Sequence, residues 1–177
     1  GILYDNIHNA MNPRKGVYSE WAFLNYAEAF GSDFSFTSYI TDNRLYQPLG
    51  KNRVLAAQVY GQFTAGEAPF NMLALMGGES LMRGYYLGRY RDQNLVAAQL
   101  EYRILPFSFS KKWGASVFLA TGQVYGTQTT FEWNAMLPTA GAGIRYLIFP
   151  EKDIYTRIDI AFTREGSGVY FFIGEAF

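Results

Sequence analysis

Val96-Ala97-Ala98-Gln99-Leu100-Glu101-Tyr102-Arg103-Ile104 is the stretch whose reading decides the fold class. Val96, Ala98, Leu100, Tyr102 and Ile104 alternate with Gln99, Glu101 and Arg103. That is a period of two, in which successive side chains leave a strand on opposite faces. The pattern returns on both sides. Downstream, Ile154, Thr156, Ile158, Ile160 and Phe162 stand against Arg157, Asp159 and Thr163; upstream, Leu55, Ala57, Val59 and Phe63 stand against Gln58, Tyr60 and Gln62. Alternation fits two architectures. A soluble sandwich turns its apolar face inward, whereas a membrane barrel turns that face to lipid and lines its lumen with the polar one. Length favours the barrel: the runs are roughly 10–13 residues long, the span of a tilted strand across hydrocarbon, against about 5–6 in soluble sheets.

Composition agrees. Aromatics make up 18% of 177 residues, with 14 Tyr and 15 Phe, and 49% of the chain is hydrophobic. Mean hydropathy is nevertheless −0.07, so apolar and polar residues are interleaved. No apolar run approaches the roughly 18–20 residues of a membrane helix, which excludes a helical membrane protein. A formal net charge of zero gives no argument for nucleic acid or an acidic substrate. Absence of cysteine rules out a disulfide framework and thiolate metal sites, and suits an oxidising compartment. Gly1 opens no basic start with an apolar core, so no signal peptide begins there; the chain is expected to be a mature product or a segment.

The pattern predicts strands at 1–8, 16–27, 33–46, 53–65, 92–105, 113–126, 139–149, 153–164 and 168–177. Connections at 9–15, 47–52, 106–112 and 150–152 are short and turn-like. Those at 28–32, 66–91, 126–138 and 165–167 alternate with them, and two are long. Short turns on one rim and long loops on the other are the habit of outer-membrane barrels. No linker divides the chain, so a single all-β domain over 1–177 is expected: an antiparallel transmembrane β-barrel. Nine strands conflict with the even count of single-chain bacterial barrels. Either 1–8 is no full strand and eight strands close alone, or these are the C-terminal nine strands of a larger barrel. The second is favoured.

Three motifs bear on family: residues 77–92 (GGESLMRGYYLGRYRD) in the longest loop, residues 171–177 (FFIGEAF), and residues 4–16 (YDNIHNAMNPRKG). Together they resemble the BamA/TamA-type outer-membrane assembly barrels, the bacterial surface antigen family. That family carries a Gly-Gly pair before Arg-Gly-aromatic in its large loop, a final strand ending in an aromatic residue, and a YDxRDN…PxxG segment. On the residues alone, Gly77 and Gly78 permit positive φ and a tight re-entry. Gly84 allows close backbone approach, and Tyr85 and Tyr86 can wedge against a wall. A guanidinium in a polar lumen needs a carboxylate, best held bidentately. The resemblance implies that the loop folds into the lumen and that Arg83 meets the inner wall. The matching partner is Glu101, with Gln99 and Arg103 as inward neighbours. Gly78, Arg83, Gly84, Tyr85, Glu101 and Gly122 are the implied loop motif and lumen lock. One departure stands out. Where the family has F-x-D-x-G, this chain reads Phe118-Leu119-Ala120-Thr121-Gly122. Without that acid, the lock rests on Glu101 alone or borrows Asp159.

Other residues have plainer readings. Arg89 and Arg91 are solvated or face lipopolysaccharide. Trp21, Trp113 and Trp133 are girdle residues at the membrane interface. His8 is a surface residue, and one histidine without cysteine gives little basis for a triad or zinc site. Asp153 and Asp159 are solvated or paired with Arg145 and Arg157. Gly141 and Gly143 sit in a strand, where glycine marks a bend or close contact.

For the last strand, Phe171, Ile173 and Phe177 share a parity and are expected to face lipid, with Glu175 near the rim. The resemblance makes Phe171, Ile173, Gly174 and Phe177 a C-terminal insertion signal. In larger relatives this strand also forms a weak seam, whose exposed edge can accept an incoming strand; Gly166 and Gly168 would loosen it. The expected function is an outer-membrane barrel that helps insert or translocate polypeptides. An accessory barrel without that activity, or the anchor of an enzyme domain outside this sequence, competes. No cofactor, metal or catalytic residue is implied. Expected partners are outer-membrane lipid and lipopolysaccharide, client outer-membrane proteins and assembly-machinery subunits.

Overall fold

The computed structural model describes residues 1–177 apart from the Phe30 side chain. Nine strands form one antiparallel sheet: β1 (Ile2–Asp5), β2 (Gly16–Tyr26), β3 (Phe36–Pro48), β4 (Arg53–Gly66), β7 (Asn94–Ile104), β8 (Trp113–Tyr125), β9 (Leu137–Phe149), β10 (Ile154–Thr163) and β11 (Ser167–Ile173). Each pairs with its neighbours in the chain, as expected of a meander. Two further strands, β5 (Ala74–Met76) and β6 (Tyr90–Asp92), form a separate hairpin inside the longest loop. Sequence reading missed them, because three residues are too few to display a period.

All nine expected strands are present, most with a shortened end, while β3, β4, β9 and β11 each run past the expected bounds at one end. β1 is a paired strand, running from Ile2↔Trp21 to Asp5↔Tyr18. Its presence corrects the alternative of an eight-stranded barrel closing on itself. β1 and β11 are the edges of the sheet, and no ladder joins them among the described residues. The reason is directional. In an odd antiparallel series both edge strands run toward the same rim, and joining them would require a parallel ladder.

The polarity is that of a membrane barrel. On β10, Tyr155, Arg157, Asp159 and Ala161 are buried, whereas Ile158, Ile160 and Phe162 are 39%, 44% and 61% exposed. β7 repeats this, with Gln99, Glu101 and Arg103 inside and Leu100 outside. Taking one such apolar side chain out of water is worth about 1.5–3 kcal/mol, so a belt of them is stable against lipid and not against water. Trp113 lies at a rim, edge-on to Tyr146 at 4.8 Å between centroids, and Trp133 lies in the β8–β9 loop. Trp21 departs from the girdle reading. It faces outward at mid-height, opposite Thr41, and satisfies its indole by donating to Ser19 Oγ at 3.1 Å.

Candidate functional site

The long loop turns back into the lumen on its own hairpin, Ala74↔Asp92 to Met76↔Tyr90. Beyond Met76 the chain reverses tightly, and Gly77 and Gly84 have φ of +116° and +104°. At Gly84 a Cβ would lie 2.5 Å from Thr163 Cγ2, so the left-handed backbone and the wall both require glycine. The turn closes on itself, with the Gly78 N–H donating to the Tyr85 carbonyl at 2.9 Å. Met76, Met82 and Tyr85 pack with Leu95, Ala97 and Ala120 of β7 and β8 in a fully buried cluster. Those inward positions are apolar because the loop covers them. Gly122 lets it come close: a Cβ there would stand 3.2 Å from Met76 Sδ.

The loop brings Arg83 to the inner wall, fully buried. Its Nη1 donates to Asp159 Oδ2 at 2.6 Å, and its Nη2 donates to Glu101 Oε2. The guanidinium lies over the Phe118 ring, 3.5 Å from its centroid. Neighbouring atoms are held too. The Arg83 carbonyl accepts from Thr139 Oγ1. Gly84 N–H donates to Tyr170 Oη at 2.8 Å, and Tyr85 Oη donates to the Pro138 carbonyl at 3.1 Å. The wall also grips the loop before Arg83: Gln99 Nε2 donates to the Ser80 carbonyl at 2.7 Å and Arg157 Nη2 to that of Glu79 at 3.0 Å.

Glu101 and Asp159 belong to a larger buried network. Glu101 Oε1 accepts from Arg103 Nε at 3.0 Å and Arg145 Nη2 at 3.2 Å. Asp159 accepts from Arg145 Nη1 at 2.5 Å and Arg157 Nη1 at 2.6 Å. Burial of charge is costly unless geometry is good and the remaining lone pairs are filled; here both carboxylates take three guanidiniums each. Asp159 thus supplies the second acid that Ala120 lacks. Gly143 makes room for it, since a Cβ there would strike the Asp159 carboxylate and sit 2.6 Å from Arg145 Nη1.

Sequence reading missed the extent of this network. Arg145, Glu175 and Phe118 were not singled out as wall residues for the loop. The usable signal was the inward parity of β9, Thr139-x-Gly141-x-Gly143-x-Arg145, where two small residues precede a cation. Asp159 was expected in solvent, on Arg145 and Arg157, or borrowed as a second partner for Arg83, and it meets all three arginines. Asp153 instead pairs with Arg14, Nε to Oδ2 at 2.7 Å. Arg89 and Arg91 make contacts within the protein. Arg89 Nε meets Glu165 Oε2 at 2.9 Å, and Arg91 lies 3.9 Å from the Phe70 ring centroid. The Tyr90 hydroxyl also donates to Glu165, and that bond, then Arg89, lowers the Glu165 pKa below the usual carboxylate value. Burial and the same bond push the Tyr90 phenol up to about 12.

The final residues need correction. Phe171 and Ile173 face outward as expected. β11 stops there, and Gly174, at φ +90°, turns the chain into the lumen. Phe177, expected against lipid, is buried with Tyr46, Val54 and Ala56. Glu175, expected near the rim, accepts from Arg145 Nε at 3.0 and 3.1 Å. Parity failed because a left-handed glycine ends the alternation. Gly166 and Gly168 flank the turn into β11; the β10–β11 ladder beside them is continuous from Phe162↔Ser167 to Thr156↔Ile173, and the opposite edge of β11 carries no ladder among the described residues.

An antiparallel sheet with polar side chains inside, an apolar belt outside and a loop clamped in the lumen is part of an outer-membrane-type β-barrel. The chain belongs to the Omp85 superfamily, whose domain matches residues 1–177; its barrels are of the outer-membrane assembly and translocation type. Among solved structures it resembles BamA from Haemophilus ducreyi lacking POTRA domains 1–3, at a TM-score of 0.74 and 18% identity. The match covers 97% of this chain and 40% of that one, so this chain spans well under half of the BamA chain. No curated protein matches it in sequence.

Proposed function

We propose that the chain is the C-terminal part of a larger barrel in the bacterial outer membrane, which helps insert or translocate polypeptides there. The observation that carries this is the nine-stranded sheet of inverted polarity with a loop clamped inside it. Antiparallel closure needs an odd number of further strands between β11 and β1. Within such a barrel, Gly78, Arg83, Gly84, Tyr85, Glu101 and Gly122 hold the loop against the wall and set the lumen's free cross-section. β11 is the strand whose outer edge meets the next strand of the barrel. An edge held by few neighbours presents unpaired N–H and C=O groups, and an incoming polypeptide adds to it as a strand. The work is templating rather than bond chemistry. Its partners are client polypeptides, subunits of an assembly machinery, and the lipid and lipopolysaccharide around the belt; Phe171, Ile173, Gly174 and Phe177 are the signal for the barrel's own insertion.

The test is reconstitution of the complete protein into liposomes, following the folding rate of an unfolded client barrel. Acceleration that drops in Arg83→Ala supports the reading. A client that folds no faster than in empty liposomes overturns it.

A further inference from the structure

We propose that Arg145 is a positioning residue that couples the lumen loop to the tail of residues 174–177, so that each holds the other in place. The inference stands on lumen geometry and does not depend on the assembly activity. One guanidinium spends its three nitrogens on three carboxylates. Nη1 goes to Asp159 Oδ1 at 2.5 Å, Nη2 to Glu101 Oε1 at 3.2 Å, and Nε to Glu175 at 3.0 and 3.1 Å. Two of those acids, Asp159 and Glu101, are the ones that hold Arg83 and hence the loop. The third belongs to the tail. All the side chains concerned are buried, where charges are weakly screened and a network responds as a unit.

The sign of the coupling follows from charge. With Arg83 in place, Glu101 and Asp159 are largely neutralised, and the Nε edge of Arg145 is free to hold Glu175. Once Arg83 leaves, two undercompensated carboxylates compete for Arg145 and repel Glu175 through it. Loss of Glu175 in turn leaves excess positive charge on Arg145, which repels Arg83. Loop and tail therefore stabilise one another, and such coupling is reciprocal. Arg157 bonds Asp159 and has no bond to the tail. Arg103 is the rival link: its Nε lies 3.0 Å from Glu101 and 3.6 Å from Glu175, and its Nη2 donates to the Phe177 main-chain oxygen at 3.0 Å.

Hydrogen exchange on the whole protein in detergent micelles tests this. Tail docking is read at the Gly174 and Glu175 amides, which donate to Tyr155 and Met11. Loop docking is read at the Gly84 amide, which donates to Tyr170. Arg83→Gln is expected to speed exchange at Gly174 and Glu175 about tenfold, with the β3–β4 ladder unchanged. Glu175→Gln is expected to speed exchange at Gly84 by the same factor; being isosteric and outside the strands, it keeps the test open where Arg83→Gln does not fold. Arg145→Lys supplies a charge without the three-way fork, and in that background both effects should fall below about twofold. The proposal is overturned if neither substitution is felt at the far side. It is also overturned if both effects persist in Arg145→Lys and vanish only in Arg103→Lys, which would place the link at Arg103.

Discussion

At the scale of single residues, the lumen is a place where charge is tolerated only in company. Arg83 sits at a fully buried position and is held by two acids and one aromatic face. Removing one partner from such a pair leaves a buried charge uncompensated, at a cost of about 3–5 kcal/mol. Asp159→Asn should therefore lower the urea midpoint of the folded barrel in micelles about as much as Glu101→Gln. Both should also lower heat resistance on gels. Unchanged heat-modifiability in Arg83→Ala and Glu101→Gln alike would show that the pairing does not hold the loop. Gly84 and Gly78 offer a graded comparison. Both have φ above +100°, but only Gly84 also faces a wall, where a Cβ would lie 2.5 Å from Thr163 Cγ2. Gly78→Ala should cost about 1–2 kcal/mol, the left-handed backbone penalty alone, and Gly84→Ala distinctly more, both read as urea midpoints.

Elements behave according to what covers them. The loop is pinned deep in the lumen by Arg83 and at the rim by Glu165, which takes Tyr90 and Arg89. Because the docked Glu165 has a lowered pKa, its contribution is fully present above the ordinary glutamate value, about 4.3. It is lost as pH falls through the lower docked value. Exchange of the Arg89 amide, corrected for its intrinsic rate, should stay constant from neutrality to about pH 4 and rise below it. Glu165→Gln should remove that dependence, and a flat profile in the unmutated protein would exclude the rim contact as a brace. The tail is pinned by Phe177 among Tyr46, Val54 and Ala56. Phe177→Ala should free it at a cost of up to about 3–5 kcal/mol, detected as protease cleavage within residues 174–177. A lipid-facing Phe177 would instead leave cleavage unaltered.

For the whole molecule, the inverted polarity sets which faces accept charge. Leu119→Arg on the outer belt should destabilise by about 2–4 kcal/mol if it lies near the bilayer midplane, measured by unfolding from lipid vesicles, whereas Gln58→Arg on the inner face should cost far less. Equal penalties would contradict the lipid-facing assignment of the belt. The period of two in residues such as Val96–Ile104 and Ile154–Phe162 was enough to place nine strands and their two faces, because alternation is a local property written along one segment. The Arg83–Glu101 contact was readable only through resemblance, and its second acid was open. Three things lay beyond the sequence. The three-residue strands of the loop hairpin are too short to carry a period, the tail's inward turn hinges on the left-handed backbone of Gly174, and the joining of Arg145 to Glu101, Asp159 and Glu175 unites residues up to 74 positions apart. The order of residues thus determined the strands, their polarity and the class of barrel. Which buried charges meet was decided only by tertiary structure, since ion pairing across a lumen depends on strand register and loop path, and neither leaves a local trace.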